Sequence, residues 1–329
     1  MQSSQGFERL QVWIPIPALG HVNSYLFHGE DPSIIDPGML SGRSILDLTR
    51  SLAKRGYKLP DIGRVVLTHF HVDHATGSAI LGLEGAEIYA GWRDAWYLNR
   101  EFKEYVEAAI VLFRQHGAPK SEVELMVKSH PGMRLGYAYE ALRELGVKPL
   151  REGDHVRLGQ WSLRVVETPG HSPGSIILVD DNERIAFVGD TILPGITPHV
   201  TLHDPDSDPL GDYLSSLRRI ADMELRIAYP GHRDPIINPA ERALELIRHH
   251  EERLQEILEV LKREGPLTAY EVAKRVRWRV RYSSWEEYPP AERFFALGET
   301  LAHLRRLEVE GLAERVMRMD AYYWRPAGV

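Results

Sequence analysis

The chain contains no cysteine among its 329 residues. That absence excludes a disulfide framework, thiolate-bound zinc, iron–sulfur clusters and a thiol nucleophile. It also fits a reducing compartment, and no basic start followed by an apolar stretch marks a signal peptide, so a cytoplasmic location is expected. Long apolar runs are missing too. The longest, such as 175–179 and 185–188, are far too short to cross a bilayer, and no membrane association is expected. Lysine is scarce, 8 against 32 arginines, a bias that a GC-rich or thermophilic source explains more simply than nucleic-acid binding does. Positive charge is not in excess either. The 40 Lys plus Arg against 47 Asp plus Glu leave a net charge of −7, which counts against tight non-specific binding of polyanions. Histidine is what the chain has in quantity, with 15 residues, and their placement needs explaining.

The length suggests about two domains, and with no repeat or low-complexity tract, periodicity and turn residues must divide them. Residues 10–17, 24–28 and 33–35 read as strands, the last closed by Asp36-Pro37-Gly38. Residues 44–55 read as a helix with Ile45, Leu48 and Leu52 on one face. A β-branched run at 63–68 is a buried strand that His69 follows directly, and another strand is expected over 86–90. From 92 to 145 strand signals vanish, and helical spacing with clustered aromatics takes over, broken by Pro119 and Pro131-Gly132. Strands return at 156–158, 163–166, 175–179 and 185–188, then a helix at 210–221, a strand at 226–229 and a long helix at 239–262. The order after 266 is helix, helix, hairpin. Thr268 and Glu271 make a capping box, a helix over 291–310 closes at Gly311, and strands at 312–316 and 322–324 flank Met319-Asp320. That is the order of a winged helix. The expected domains are therefore 1–262 and 263–329.

The histidines concentrate where strands end. The strand at 63–68 runs into Thr68-His69-Phe70-His71-Val72-Asp73-His74, four metal-ligand side chains within six residues. Neutral imidazole suits zinc, and a carboxylate completes or bridges such a site. His69 and His71 project to one side of an extended segment, while Asp73 and His74 lie where the chain turns. His171 follows the strand at 163–166 in Pro169-Gly170-His171, Asp190 follows 185–188 in Gly189-Asp190, and His232 follows 226–229 in Pro230-Gly231-His232. Each alone reads more simply as structural. Together they repeat one arrangement, a ligand-type residue beside glycine at a strand end, where sites assemble in α/β proteins.

This ordered set, His-x-His-x-Asp-His, then His, Asp and His, resembles the metallo-β-lactamase superfamily over about residues 10–262, apart from the helical insert at 92–145. The resemblance implies an αββα sandwich, here with a helical insertion and a small C-terminal winged-helix-like domain. It assigns His69, His71 and His171 to one metal, Asp73, His74 and His232 to a second, and Asp190 to a bridging position. Seven ligands overfill one tetrahedral zinc but suit two. Two Zn²⁺ are thus the implied cofactors, with iron or manganese as alternatives. A zinc pair roughly 3.5–4 Å apart holds a hydroxide and polarises a substrate oxygen, so the implied reaction is hydrolysis. Asp73 or Asp190 then serves as the catalytic carboxylate that carries a proton to the leaving group. Antibiotic-degrading members place cysteine in the second site and lack the histidine after the aspartate. With His74 and no cysteine, this chain resembles instead the glyoxalase II-type branch. Its tail is similar to that of lactamase-β-like endoribonucleases, which add a small winged helix to the same metal core.

Two readings of the substrate follow. One is an ester, thioester or lactone of small-molecule size. The alternative is single-stranded RNA, gripped along its backbone by the tail, whose run from Lys274 to Tyr282 alternates arginine with apolar residues. The insert's aromatics, among them Trp96 and Tyr97, read as core, with a substrate-binding lid as the alternative. His21 and His199, in loops flanking the expected cleft, are further substrate-contact candidates. The tail and the apolar insert are compatible with a homodimer.

Overall fold

Apolar alternation in the first hundred residues builds one sheet, and the computed structural model, which describes residues 6–16, 19–278 and 282–328, sets out its strands. They are β1 (Phe7–Trp13), β2 (His21–Phe27), β3 (Ser33–Ile35), β4 (Arg64–Leu67), β5 (Glu87–Gly91) and β6 (Lys148–Leu150), adjacent in that order. β1 to β3 pair antiparallel and β3 to β6 parallel. The expected strand at 10–17 is shifted, ending at Trp13, and residue 17 lies outside the described residues. The strand signals expected to vanish through 145 resume in β6, whose three residues include Pro149. Proline is tolerated there because β6 is an edge strand.

A second sheet contains β7 (His155–Leu158), β8 (Trp161–Glu167), β9 (Ile176–Asp180), β10 (Ile185–Gly189) and β11 (Ile227–Pro230), in the order β11-β10-β9-β8-β7. All five residues of β10 are buried, as its unbroken apolar run requires. Inward side chains of both sheets share one core, from Phe7, Tyr25, Phe27 and Val66 on the first to Val165, Leu178 and Phe187 on the second. Phe187 lies at its centre, with ring centroids 5.0 Å from Phe7 and Tyr25, 5.1 Å from Phe27 and 5.3 Å from Tyr229.

Strand direction explains where function collects. β8 and β10 both run antiparallel to β9, and β11 runs parallel to β10. The C-terminal ends of β8, β10 and β11 therefore lie at one edge of the second sheet. His171, Asp190 and His232 follow those three ends.

The chain divides into two compact units. The first comprises 1–102, 135–198 and 216–244; the second comprises 103–134, 199–215 and 245–329. The insert is split: residues 92–102 and 135–145 belong to the first unit, and 103–134 to the second. Packing within the second unit shows why. The helix Lys120–Ser129 packs on the helix Pro290–Val309, Arg293 reaches Glu122 at 2.6 Å, and the Phe113 and Phe294 rings lie 4.9 Å apart. A sheet ordered β12-β14-β13 completes this unit, from β12 (Leu267–Thr268), β13 (Ala313–Arg318) and β14 (Ala321–Pro326). Thr268 caps the helix Ala269–Ala273 reciprocally with Glu271, as the sequence predicts. No helix among the described residues is long and apolar enough to cross a membrane.

Candidate metal centre

Directly after β4 the chain bends at Thr68 and His69, and a short helix, Val72–Ala75, then buries Asp73 and His74. His69, His71 and His171 bring ligand atoms within 4.8 Å of one another, and so do Asp73, His74 and His232. Asp190 lies against both groups. Its Oδ2 is 3.9 Å from His171 Nε2 and 3.5 Å from His232 Nε2, and its Oδ1 is 3.5 Å from His74 Nε2. Asp73 Oδ2 is 3.3 Å from His232 Nε2. All seven side chains expected from the sequence thus converge.

Hydrogen bonds aim the imidazoles. Thr68 Oγ1 donates to Asp36 Oδ2 at 2.6 Å, which leaves the hydroxyl oxygen to accept from His69 Nδ1 at 3.0 Å. His74 Nδ1 donates to Asp36 Oδ2 at 2.9 Å, and His232 Nδ1 donates to the His21 carbonyl at 2.8 Å. This network assigns the proton to Nδ1 in all three rings and turns each Nε2 lone pair to the centre. His69 Nε2 is buried with no hydrogen-bond partner among the described residues, and His74 and His232 face each other Nε2 to Nε2 at 3.2 Å. Lone pairs converging between ionised carboxylates need a cation. The donor set, imidazole and carboxylate without thiolate, fits zinc and other divalent transition metals.

The electrostatics divide the centre in two. Burial and the neighbouring His74, His71 and His171 hold the His69 pKa well below its usual value. Burial opposes charge on His74 and His232 as well, but Asp190 and Asp73 outweigh it and raise both. Asp73 and Asp190 resist the upward push of burial because these histidines pull their carboxyls below the usual range. One end of the centre is all imidazole; the other carries its negative charge.

Side-chain hydrogen bonds to the backbone tie β2 of the first sheet to the end of β11 and the loop after it in the second. Asn23 Nδ2 donates to Pro230 O at 2.9 Å and to Arg233 O at 2.7 Å, and Tyr25 Oη donates to Pro230 O at 2.7 Å. Gly231 is required here, since a Cβ would stand 2.4 Å from Asp190 Oδ1 and 2.5 Å from His74 Cε1.

A model of the metallo-beta-lactamase superfamily matches residues 17–232. The chain is 31% identical over 314 residues to the probable metallo-hydrolase YqjP of Bacillus subtilis, covering 92% of each. The chain belongs to the metallo-β-lactamase superfamily. It is a hydrolase of that superfamily, and not a true β-lactamase. A metallo-beta-lactamase family protein from Thermus thermophilus matches its structure with a TM-score of 0.80 at 31% identity, over 98% of each chain. A fungal relative, the atrochrysone carboxyl ACP thioesterase AgnL7 of Paecilomyces divaricatus, is 27% identical over 48% of each chain. With that protein, the chain shares about half its length.

The remaining candidates lie as follows. The His21 side chain meets Gln11 at 2.8 Å, and its carbonyl, not its ring, holds His232. Tyr97 stacks on Phe70, the residue between His69 and His71, with centroids 5.8 Å apart; Trp96 meets Tyr97 edge-on at 4.9 Å and is half exposed. His199 belongs to the second unit, 3.7 Å from Glu299 and edge-on to Phe295. Sequence reasoning missed Asp36 and Asp94. Asp36 shows only as part of a turn, Asp36-Pro37-Gly38, and its positive φ of 50° is one that aspartate tolerates.

Proposed function

We propose that the chain is a binuclear zinc-dependent hydrolase of the glyoxalase II-type branch, acting on an ester, thioester or lactone of small-molecule size. The convergence of seven imidazole and carboxylate side chains, four following β4 of the first sheet and three following β8, β10 and β11 of the second, carries this reading. His69, His71 and His171 would hold one ion, and Asp73, His74 and His232 the other, with Asp190 shared. Bound there, zinc supplies Lewis-acid polarisation of the acyl oxygen and lowers the pKa of water to roughly 7, roles that iron or manganese also fill. The carboxylate of Asp73 or Asp190, at an oxygen not engaged as a ligand, would take the proton that the attacking water loses and pass it to the leaving group.

The acyl portion lies along Tyr97 and Trp96, rings that continue from Phe70, which is buried beside His71 (Phe70 to His71, 5.1 Å). A relative named as a thioesterase supports the thioester among the three candidates. The C-terminal helices and the β13–β14 hairpin support a winged-helix reading, in a structural role. RNA gains no support from the basic run. Lys274 pairs with Glu286 at 3.1 Å, Arg275 meets Glu264, and Arg277 stands 3.8 Å from Glu256; residues 279–281 lie outside the described residues. A cytoplasmic location remains part of the proposal.

The test is a substrate panel of acyl thioesters, p-nitrophenyl esters and a phosphodiester, assayed with zinc-loaded and chelated protein. Thioester or ester hydrolysis that chelation abolishes, and that Asp190→Ala lowers by about 10²–10⁴-fold, is the expected result. Cleavage of the phosphodiester alone would overturn it.

A further inference from the structure

Asp94 lies in the first turn of the helix Trp92–Leu98, which follows β5 directly, and it is 0% exposed. An isolated buried carboxyl is costly, so its partners matter. Phe70 N–H donates to Oδ2 at 2.8 Å, Ser172 Oγ–H donates to Oδ2 at 2.6 Å, and Gly174 N–H donates to Oδ1 at 2.6 Å. Phe70 lies between His69 and His71, and Ser172 follows His171. One carboxyl therefore ties the loop after β4, in the first sheet, to the loop after β8, in the second.

The fit leaves no slack. A Cβ on Gly174 would stand 2.1 Å from Asp94 N and 2.7 Å from Asp94 Oδ1, and one on Gly91 would stand 2.1 Å from Gly174 O. Ser175 Oγ reinforces the second loop, accepting from Ser172 N at 3.0 Å. The contacts of Asp36 go instead to Thr68 and His74, and reach His69 only through the Thr68 hydroxyl; none ties the loop after β4 to the loop after β8.

We propose that Asp94 is the positioning residue of the all-imidazole site, setting the spacing between His71 and His171 by holding their loops in a single clamp. The proposal rests on the metal assignment made above. Asparagine keeps the size of Asp94 but replaces one acceptor oxygen with a donor, so Asp94→Asn sets a donor against either Gly174 N–H or Phe70 N–H. A loop released in this way loosens the site it serves. Partners that orient ligands are typically worth about 10- to 100-fold in metal affinity.

The experiment measures Zn²⁺ affinity with a chromophoric competing chelator on the full chain, in two backgrounds that each keep one site. His232→Ala leaves the His69–His71–His171 site, and His171→Ala leaves the Asp73–His74–His232 site. In the His232→Ala background, Asp94→Asn is expected to weaken zinc binding by about 10- to 100-fold. In the His171→Ala background it is expected to leave binding within about threefold, a selectivity that general loosening of the fold does not produce. Equal losses in both backgrounds, or no loss in either, overturn the clamp. If His171→Ala and His232→Ala both bind zinc as the unmodified chain does, the metal assignment fails instead. Should Asp94→Asn not fold, Ser172→Ala removes one donor from the same carboxyl and is expected to show the same site preference, at about three- to tenfold. Lack of that preference in Ser172→Ala also overturns the clamp.

Discussion

Asp36 fixes three groups at once: the Thr68 backbone at 2.8 Å, the Thr68 hydroxyl at 2.6 Å and His74 Nδ1 at 2.9 Å. Asp36→Asn removes an acceptor that His74 needs to present its Nε2 inward. Zinc affinity is expected to fall about 10- to 100-fold, read by competition with a chelator; an unchanged affinity would show that His74 is aimed by packing alone. The five histidines and two aspartates of the cluster were legible in the sequence because a ligand needs its own side chain, and strand ends beside glycine announce where it goes. Asp36 and Asp94 were not legible, because a residue that acts through a hydrogen bond to another loop leaves no spacing to read. His21 shows the same limit, since what it offers His232 is a main-chain carbonyl.

Among the elements, the helix Trp92–Leu98 carries two roles on residues three apart: Asp94 faces the ligand loops, and Tyr97 stacks against Phe70. Replacing Tyr97 and Trp96 together by alanine is expected to raise KM for aromatic acyl substrates by at least about 30-fold while leaving small acetyl substrates nearly unchanged, since apolar pocket contacts contribute roughly 1–3 kcal/mol each. Equal effects on both substrates would take these rings out of the pocket. The strands depend on a different site. Phe187 is fully buried among four rings on β10, so Phe187→Ala is expected to cost about 3–5 kcal/mol in urea unfolding. A loss under about 1 kcal/mol would mean that the core refills. Most strands were legible through their alternation and turns, and β10 through its unbroken apolar run. β6 was not, since three residues with a central proline carry no period to detect.

At the scale of the whole molecule, the sequence order of segments hides their grouping. Residues 103–134 and 199–215 join the C-terminal segment through contacts such as Arg293 with Glu122 and Arg306 with Asp208 at 2.8 Å, which no local pattern foretells. The second unit also buries histidines that must stay neutral. Burial lowers His116 and His250 to about 3 and His303 to about 4, and His250 Nδ1 meets His303 Nε2 at 3.1 Å. Their pKa values in the unfolded chain lie near roughly 6.5, above the folded ones, so the stabilisation is complete above that pH and is lost as pH falls toward about 3–4. Each group is expected to cost about 1–2 kcal/mol between pH 7 and 5. His250→Gln should therefore lose less stability over that interval than the unmodified chain, by comparison of urea midpoints. An identical loss would mean that His250 is not held neutral.

The central claim is that two metal ions in the His/Asp cluster drive acyl hydrolysis. Titrating the chelated chain with zinc while following hydrolysis of an acyl thioester tests it most directly. Activity is predicted to rise and saturate at two equivalents of zinc per chain, and to stay near zero at any zinc concentration in Asp190→Ala. A chelated chain as active as the loaded one, or full activity in Asp190→Ala, would contradict it.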